Sequence, residues 1–125
     1  MGFIVDTDIL IEISKGNNKA IEFLEALGEI KISVISAMEL IVGARNKKEI
    51  SAIEDFLSNY ERLHINEEIS VKALELIRQH SVTDGLSIPD ALIGATAMNK
   101  DLILATKNIK HFKVIKEIKI KEPDY

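Results

Sequence analysis

Carboxylates stand at three separated points of this 125-residue chain where an apolar run gives way to a helical pattern. Asp6 and Asp8 follow Phe3-Ile4-Val5, Glu39 follows the alternating stretch from Ile30 to Ser33, and Asp90 sits beside Pro89 after Gly85. In open sheets flanked by helices, ligands bind outside the carboxyl ends of the strands, so acids at these junctions can converge. Converging carboxylates repel one another unless a cation joins them. The chain has no Cys and only three scattered His (His64, His80 and His111), so hard oxygen ligands would select Mg²⁺ or Mn²⁺. Such an ion suits phosphoryl chemistry, because it offsets charge on phosphate oxygens and lowers the pKa of a bound water.

Each acid also has an ordinary structural role to weigh. Ser36-x-x-Glu39 fits a capping box, Asp90 suits the positive end of a helix, and Asp8 suits an N-cap. Asp6 differs: directly after a buried strand it caps nothing obvious. Burying it without a partner would cost several kcal/mol or force its protonation.

The elements that must position these acids are legible in the hydrophobic pattern. Phe3–Val5 reads as a buried strand feeding a helix with Ile9, Leu10 and Ile13. Gly16-Asn17-Asn18 separates it from a second helix closed by Gly28, and the strand at 30–33 leads to a helix opened by Ser36-Ala37-Met38-Glu39. A further helix is expected from about Lys48 to Leu57, then a strand at 62–65, and a long amphipathic helix capped by Asn66. After Asp84-Gly85, Pro89 suits the first turn of a helix carrying Leu92, Ile93, Ala95 and Ala97. The run 102–106 is the most strand-like in the chain, 112–115 is expected to add another strand, and Ile118 and Ile120 alternate with lysines like an exposed edge. Near-continuous apolar strands separated by helices imply a mainly parallel sheet covered on both faces. The expected fold class is therefore α/β, a three-layer α/β/α single domain over 1–125.

With 46% hydrophobic and 29% charged residues, the chain can build a core, and no window approaches the length of a membrane span. A soluble, cytoplasmic protein is expected. The formal charge of -4 alone argues against a polyanionic partner, but the charge is unevenly spread. Residues 100–121 carry seven Lys against Asp101 and Glu117, enough to set a local basic field.

Four ordered segments now carry a resemblance: Val5-Asp6-Thr7-Asp8-Ile9-Leu10-Ile11; Ile35-Ser36-Ala37-Met38-Glu39-Leu40 with Gly43; Pro89-Asp90-Ala91-Leu92-Ile93-Gly94-Ala95-Thr96-Ala97; and Leu104-Ala105-Thr106-Lys107-Asn108 with His111-Phe112. Together they resemble the motifs of PIN-domain proteins, most closely the small VapC-type toxins of toxin–antitoxin pairs. The resemblance implies a Mg²⁺- or Mn²⁺-dependent ribonuclease whose catalytic and metal-binding acids map to Asp6, Glu39 and Asp90. Asp8 stands where relatives often carry Ser or Asn and would add negative charge. Asn108 stands where many relatives place Asp; a neutral amide holds a water or ligates weakly, leaving a second metal without its full acid set.

On the RNA side, Thr106 matches a polar position near the metal, and Lys107 and Lys110 lie where they can meet phosphate. The resemblance further implies an RNA substrate, a small VapB-like antitoxin and a homodimer, with no membrane partner. Two rival readings are distinguishable. A phospho-accepting receiver domain needs an Asp after the third strand, where this chain has Asn66-Glu67-Glu68. A catalytically weak PIN-like RNA-binding module would follow if Asn108 disables the acid set.

Overall fold

The computed structural model describes residues 2–125. Five parallel strands form one sheet in the order β3-β2-β1-β4-β5: β1 (Phe3–Val5), β2 (Ile30–Ser33), β3 (Glu61–Leu63), β4 (Ile103–Ala105) and β5 (Ile120–Lys121). Between them run α1 (Thr7–Ser14), α2 (Asn18–Leu27), α3 (Val34–Val42), α4 (Lys47–Leu57), α5 (Glu67–Asp84), α6 (Ile88–Asn99) and the single turn α7 (Ile109–Phe112). Strand order runs outward on one side through β2 and β3 and on the other through β4 and β5. The reversal falls between β1 and β4, where the register pairs Ile4 with Leu104 and Val5 with Ala105. That is the crevice in which a parallel sheet exposes its carboxyl ends to a ligand.

Strand alternation divides the core in two. Ile4 and Leu104 face one layer with Ile69, Leu76, Ile93 and Phe112, while Val5 and Ala105 face the other with Ile9, Leu10, Leu24 and Leu40. This is the three-layer α/β/α arrangement expected from the pattern of apolar runs. Asn17, Asn66 and Ser87 accept hydrogen bonds from the first turns of α2, α5 and α6, and Gly85 closes α5 in the left-handed conformation at φ 67°.

Three local readings are corrected. The third strand ends at Leu63, short of 65, because Asn66 already caps α5 and the intervening residues lead into that cap. Residues 112–115 make no strand: Phe112 ends α7, and Phe112 and Ile115 pack into the core against α6. Gly94 allows that approach. A Cβ there would come within 3.2 Å of Ile115 Cδ1. Finally, α3 begins at Val34 rather than Ser36, because Ser33 caps it by accepting from the Ile35 N–H at 3.0 Å. Ser36 is thereby inside the helix and buried, and the capping-box role considered for Glu39 does not arise.

Candidate active site

Asp6 lies at the last residue before α1, the N-cap position, so the acid that seemed to cap nothing is a cap, and Asp8 stands within the first turn instead. The Asp6 backbone N–H continues the sheet by donating to Ala105 O at 2.9 Å, which fixes the side chain at the β1/β4 reversal. The residue is 3% exposed. One carboxylate oxygen accepts from the Thr7 N–H at 2.8 Å, and the other accepts from the Thr106 hydroxyl at 2.7 Å. Burial pushes this carboxyl up to about 7, the charge of Asp8 adds to the rise, and Asp90 contributes further; the two hydrogen bonds oppose them.

Asp8 is half-buried and accepts from the Ile9 N–H at 2.8 Å and from the Lys107 N–H at 3.0 Å. Burial raises its pKa too, against those two bonds. Glu39, on exposed ground of α3, is tied to α1: its Oε1 lies 2.7 Å from Thr7 Oγ1, which is also 2.8 Å from Ser36 Oγ. A carboxylate only accepts, so the single Thr7 proton goes to Glu39 and Ser36 supplies the other bond. Asp90 enters from the first turn of α6, and its Oδ2 lies 3.1 Å from His111 Nδ1 on α7.

The four acids thus come from α1, α3 and α6 toward one end of the sheet, and Asp6 feels the charges of both Asp8 and Asp90. Among the described residues, no three carboxylate or imidazole groups stand together at metal-ligand spacing. Glu39 is drawn to Thr7 and Asp90 to His111 instead. The chemistry of the donor set nevertheless fits a hard divalent cation: oxygen ligands only, one of them buried and burdened by neighbouring negative charge, which a cation would relieve.

Of the residues expected to touch RNA, Thr106 takes a different place. It is fully buried, gives its proton to Asp6 and accepts from the Asn108 N–H at 2.9 Å, so it positions a carboxylate and presents nothing to a substrate. The Lys107 ammonium is 3.2 Å from Glu12 Oε2 and 4.6 Å from the centre of the Tyr125 ring. Lys110 is exposed, and Asn108 is exposed at the start of α7 with no side-chain capping bond. With His111 they line a shallow hollow of about 260 Å³.

Several participants escape a reading of the sequence. Thr7 sits between two acids, and Ser36 lies one turn before Glu39, both visible signals once the acids are suspected. His111 reads as a surface or packing residue yet meets Asp90. Glu12, one turn beyond Asp8, meets Tyr125 across 113 positions, which no local signal marks.

The PIN domain matches residues 3–118, nearly the whole of this fold and every acid described above. This chain belongs to the PIN-domain family. Ribonuclease VapC1 of Methanocaldococcus jannaschii is 37% identical to it over 120 residues, covering 94% of this chain and 84% of that protein. Among solved structures, VapBC2 from Rickettsia felis bound to a DNA fragment from their promoter has 28% identity and a TM-score of 0.85, covering 99% of this PIN domain and all (100%) of that chain. A toxin–antitoxin complex from Klebsiella pneumoniae has 32% identity and a TM-score of 0.81, covering 96% of each. Among the described residues, no helix of this PIN domain is long and apolar enough to cross a membrane.

Proposed function

We propose that this chain is a divalent-metal-dependent endoribonuclease and the toxin component of a VapBC-type toxin–antitoxin pair. One observation carries the reading. At the strand-order reversal, a buried Asp6 is held on both oxygens and loaded with the charges of Asp8 and Asp90, an arrangement whose cost is offset when a cation binds. The kinship with VapC1, a named ribonuclease, and with solved toxin–antitoxin complexes supports the same reading.

Asp6, Glu39 and Asp90 are the residues that would hold Mg²⁺ or Mn²⁺, with Asp8 adding negative charge and Asn108 a neutral amide. When bound, the cation supplies charge neutralisation at the phosphate oxygens and acidifies water for attack on the phosphodiester. The protein's own part is orientation. Thr106 and the Thr7 N–H fix both oxygens of Asp6, Thr7 holds Glu39, and His111 holds Asp90. Lys110, exposed beside Asn108 and His111, would meet an RNA phosphate.

A cytoplasmic ribonuclease needs restraint, and an anionic crevice invites it. A small VapB-like antitoxin that inserts an Arg or Lys toward Asp6, Glu39 and Asp90 would pair with the carboxylates in place of metal. A homodimer is the expected assembly. The deciding experiment incubates single-stranded RNA with the protein in Mg²⁺, Mn²⁺ or EDTA. Cleavage that EDTA stops and Asp6→Asn loses supports the assignment; equal cleavage by wild type and Asp6→Asn sinks it. Relief of toxicity on co-expression with a neighbouring small reading frame tests the antitoxin separately.

A further inference from the structure

The loop between β4 and α7 reaches the acids through its backbone as well as its side chains. Thr106 gives its hydroxyl to Asp6, the Lys107 N–H goes to Asp8, and the Asn108 N–H returns to Thr106 Oγ1. Three successive residues therefore orient the two acids of α1. The Lys107 side chain leads away from that crevice, back along α1.

There it meets a second group of residues. Glu12 lies one helical turn beyond Asp8, so a single lysine spans the two carboxylates, Asp8 by its backbone and Glu12 by its ammonium at 3.2 Å. Glu12 also accepts from the Tyr125 hydroxyl at 3.0 Å and from Asn17 Nδ2 at 3.3 Å. The Tyr125 ring lies under the Lys107 ammonium at 4.6 Å and packs edge-on against Phe23, with centroids 5.9 Å apart. Ion pair and ring face converge on the Lys107 ammonium, and the Tyr125 hydroxyl holds the other oxygen of Glu12.

We propose that Glu12 and Tyr125 are positioning residues for the β4–α7 loop: they seat Lys107 so that its backbone holds Asp8 and the adjoining Thr106 holds Asp6. On this view Lys107 works through the loop rather than as a phosphate contact. The inference deepens the ribonuclease reading and rests on it for its kinetic consequence. The seating itself is a property of the protein alone.

The test uses full-length Glu12→Gln, Tyr125→Phe, Lys107→Met and Lys107→Arg. Tyr125→Phe keeps the ring on Phe23 and removes only the hydroxyl, so it leaves the fold intact. The first readout needs neither metal nor RNA: amide hydrogen exchange at Lys107, followed by NMR. Exchange should quicken about fivefold in Glu12→Gln and Tyr125→Phe, through loss of the charge on Glu12 in the first and of the Tyr125 hydroxyl bond in the second, each comparable to one hydrogen bond of ordinary net strength. The second readout separates kcat from KM on single-stranded RNA. In Lys107→Met, kcat should fall about tenfold with KM and salt dependence unchanged, and Lys107→Arg, which keeps both the ion pair and the ring contact, should restore most of it. Unchanged exchange at Lys107 in both Glu12→Gln and Tyr125→Phe overturns the proposal. So does a Lys107→Met enzyme with normal kcat, raised KM and a shallower salt dependence, the signature of a lost phosphate contact. If wild type cleaves no RNA, the ribonuclease reading fails, and the exchange measurement alone then upholds or overturns the seating.

Discussion

The Thr106 hydroxyl donates to Asp6 Oδ2 at 2.7 Å across 100 positions of sequence, joining the ends of the two strands between which strand order reverses. Thr106 Oγ1 also accepts from the Asn108 N–H, so Thr106 links the buried acid to the start of α7. Thr106→Val keeps the shape and removes both functions, leaving a buried carboxylate oxygen and an amide without their partners. The expected loss of stability without metal is about 1–3 kcal/mol by denaturant unfolding, with Thr106→Ser close to wild type. Equal midpoints for wild type and Thr106→Val would remove Thr106 from the support of Asp6.

Asp6 also dictates a pH dependence. Its carboxyl moves from an ordinary 3.8 to about 7 on folding, chiefly through burial, so the folded state holds the proton more tightly than the unfolded state. Stability without metal is therefore greatest at the acid end of this window and declines as pH rises from about 4 toward 7 and the buried group ionises. In EDTA the melting temperature should be higher at pH 5.5 than at pH 8. Asp6→Asn, which has no proton to lose, should show a smaller difference, the remainder coming from Asp8, whose pKa is raised in the same direction. A pH profile that Asp6→Asn leaves unaltered would contradict this account.

Metal should act as a folded-state ligand. At about a hundred times its Kd, Mn²⁺ should add roughly 2.7 kcal/mol, read as a rise in melting temperature. Asp90→Asn and Glu39→Gln should each shrink that rise, since both residues reach the same end of the sheet from different helices. A full-sized rise in either variant would exclude that residue from the cation site.

How much of this was legible depends on the range of the interaction. Strands β1, β2 and β4 followed from apolar runs, and the starts of α2, α5 and α6 from Asn17, Asn66 and Pro89, because each signal is local. Residues 112–115 misled for a local reason as well: a short apolar run reads alike as a strand or as a buried turn, and the space opened by Gly94 on α6 decides between them. Ser36 and Ser33 are equally good caps by type, and the end of β2 at Ser33 decides between them. The acids themselves were legible by type and position at the strand–helix junctions. Their partners were not, since Thr7 with Glu39 and Glu12 with Tyr125 are 32 and 113 positions apart and meet only once the layers close.

The basic segment offers the last prediction. Lys110 follows Asn108 by two positions and is exposed at the hollow shared with His111, whereas the Lys107 ammonium is occupied by Glu12 and Tyr125. If Lys110 meets one RNA phosphate, its loss releases one fewer counterion. The slope of log K against log salt should then fall by about 0.7 for a single strand. Lys110→Ala should accordingly weaken binding across RNA sequences and leave kcat largely unchanged, because the contact is made equally in ground and transition states. Fluorescence anisotropy with a catalytically silent Asp6→Asn background, titrated from low to moderate salt, measures this without cleavage. An unchanged slope would mean that Lys110 is merely solvated and that the RNA backbone follows another path across the crevice.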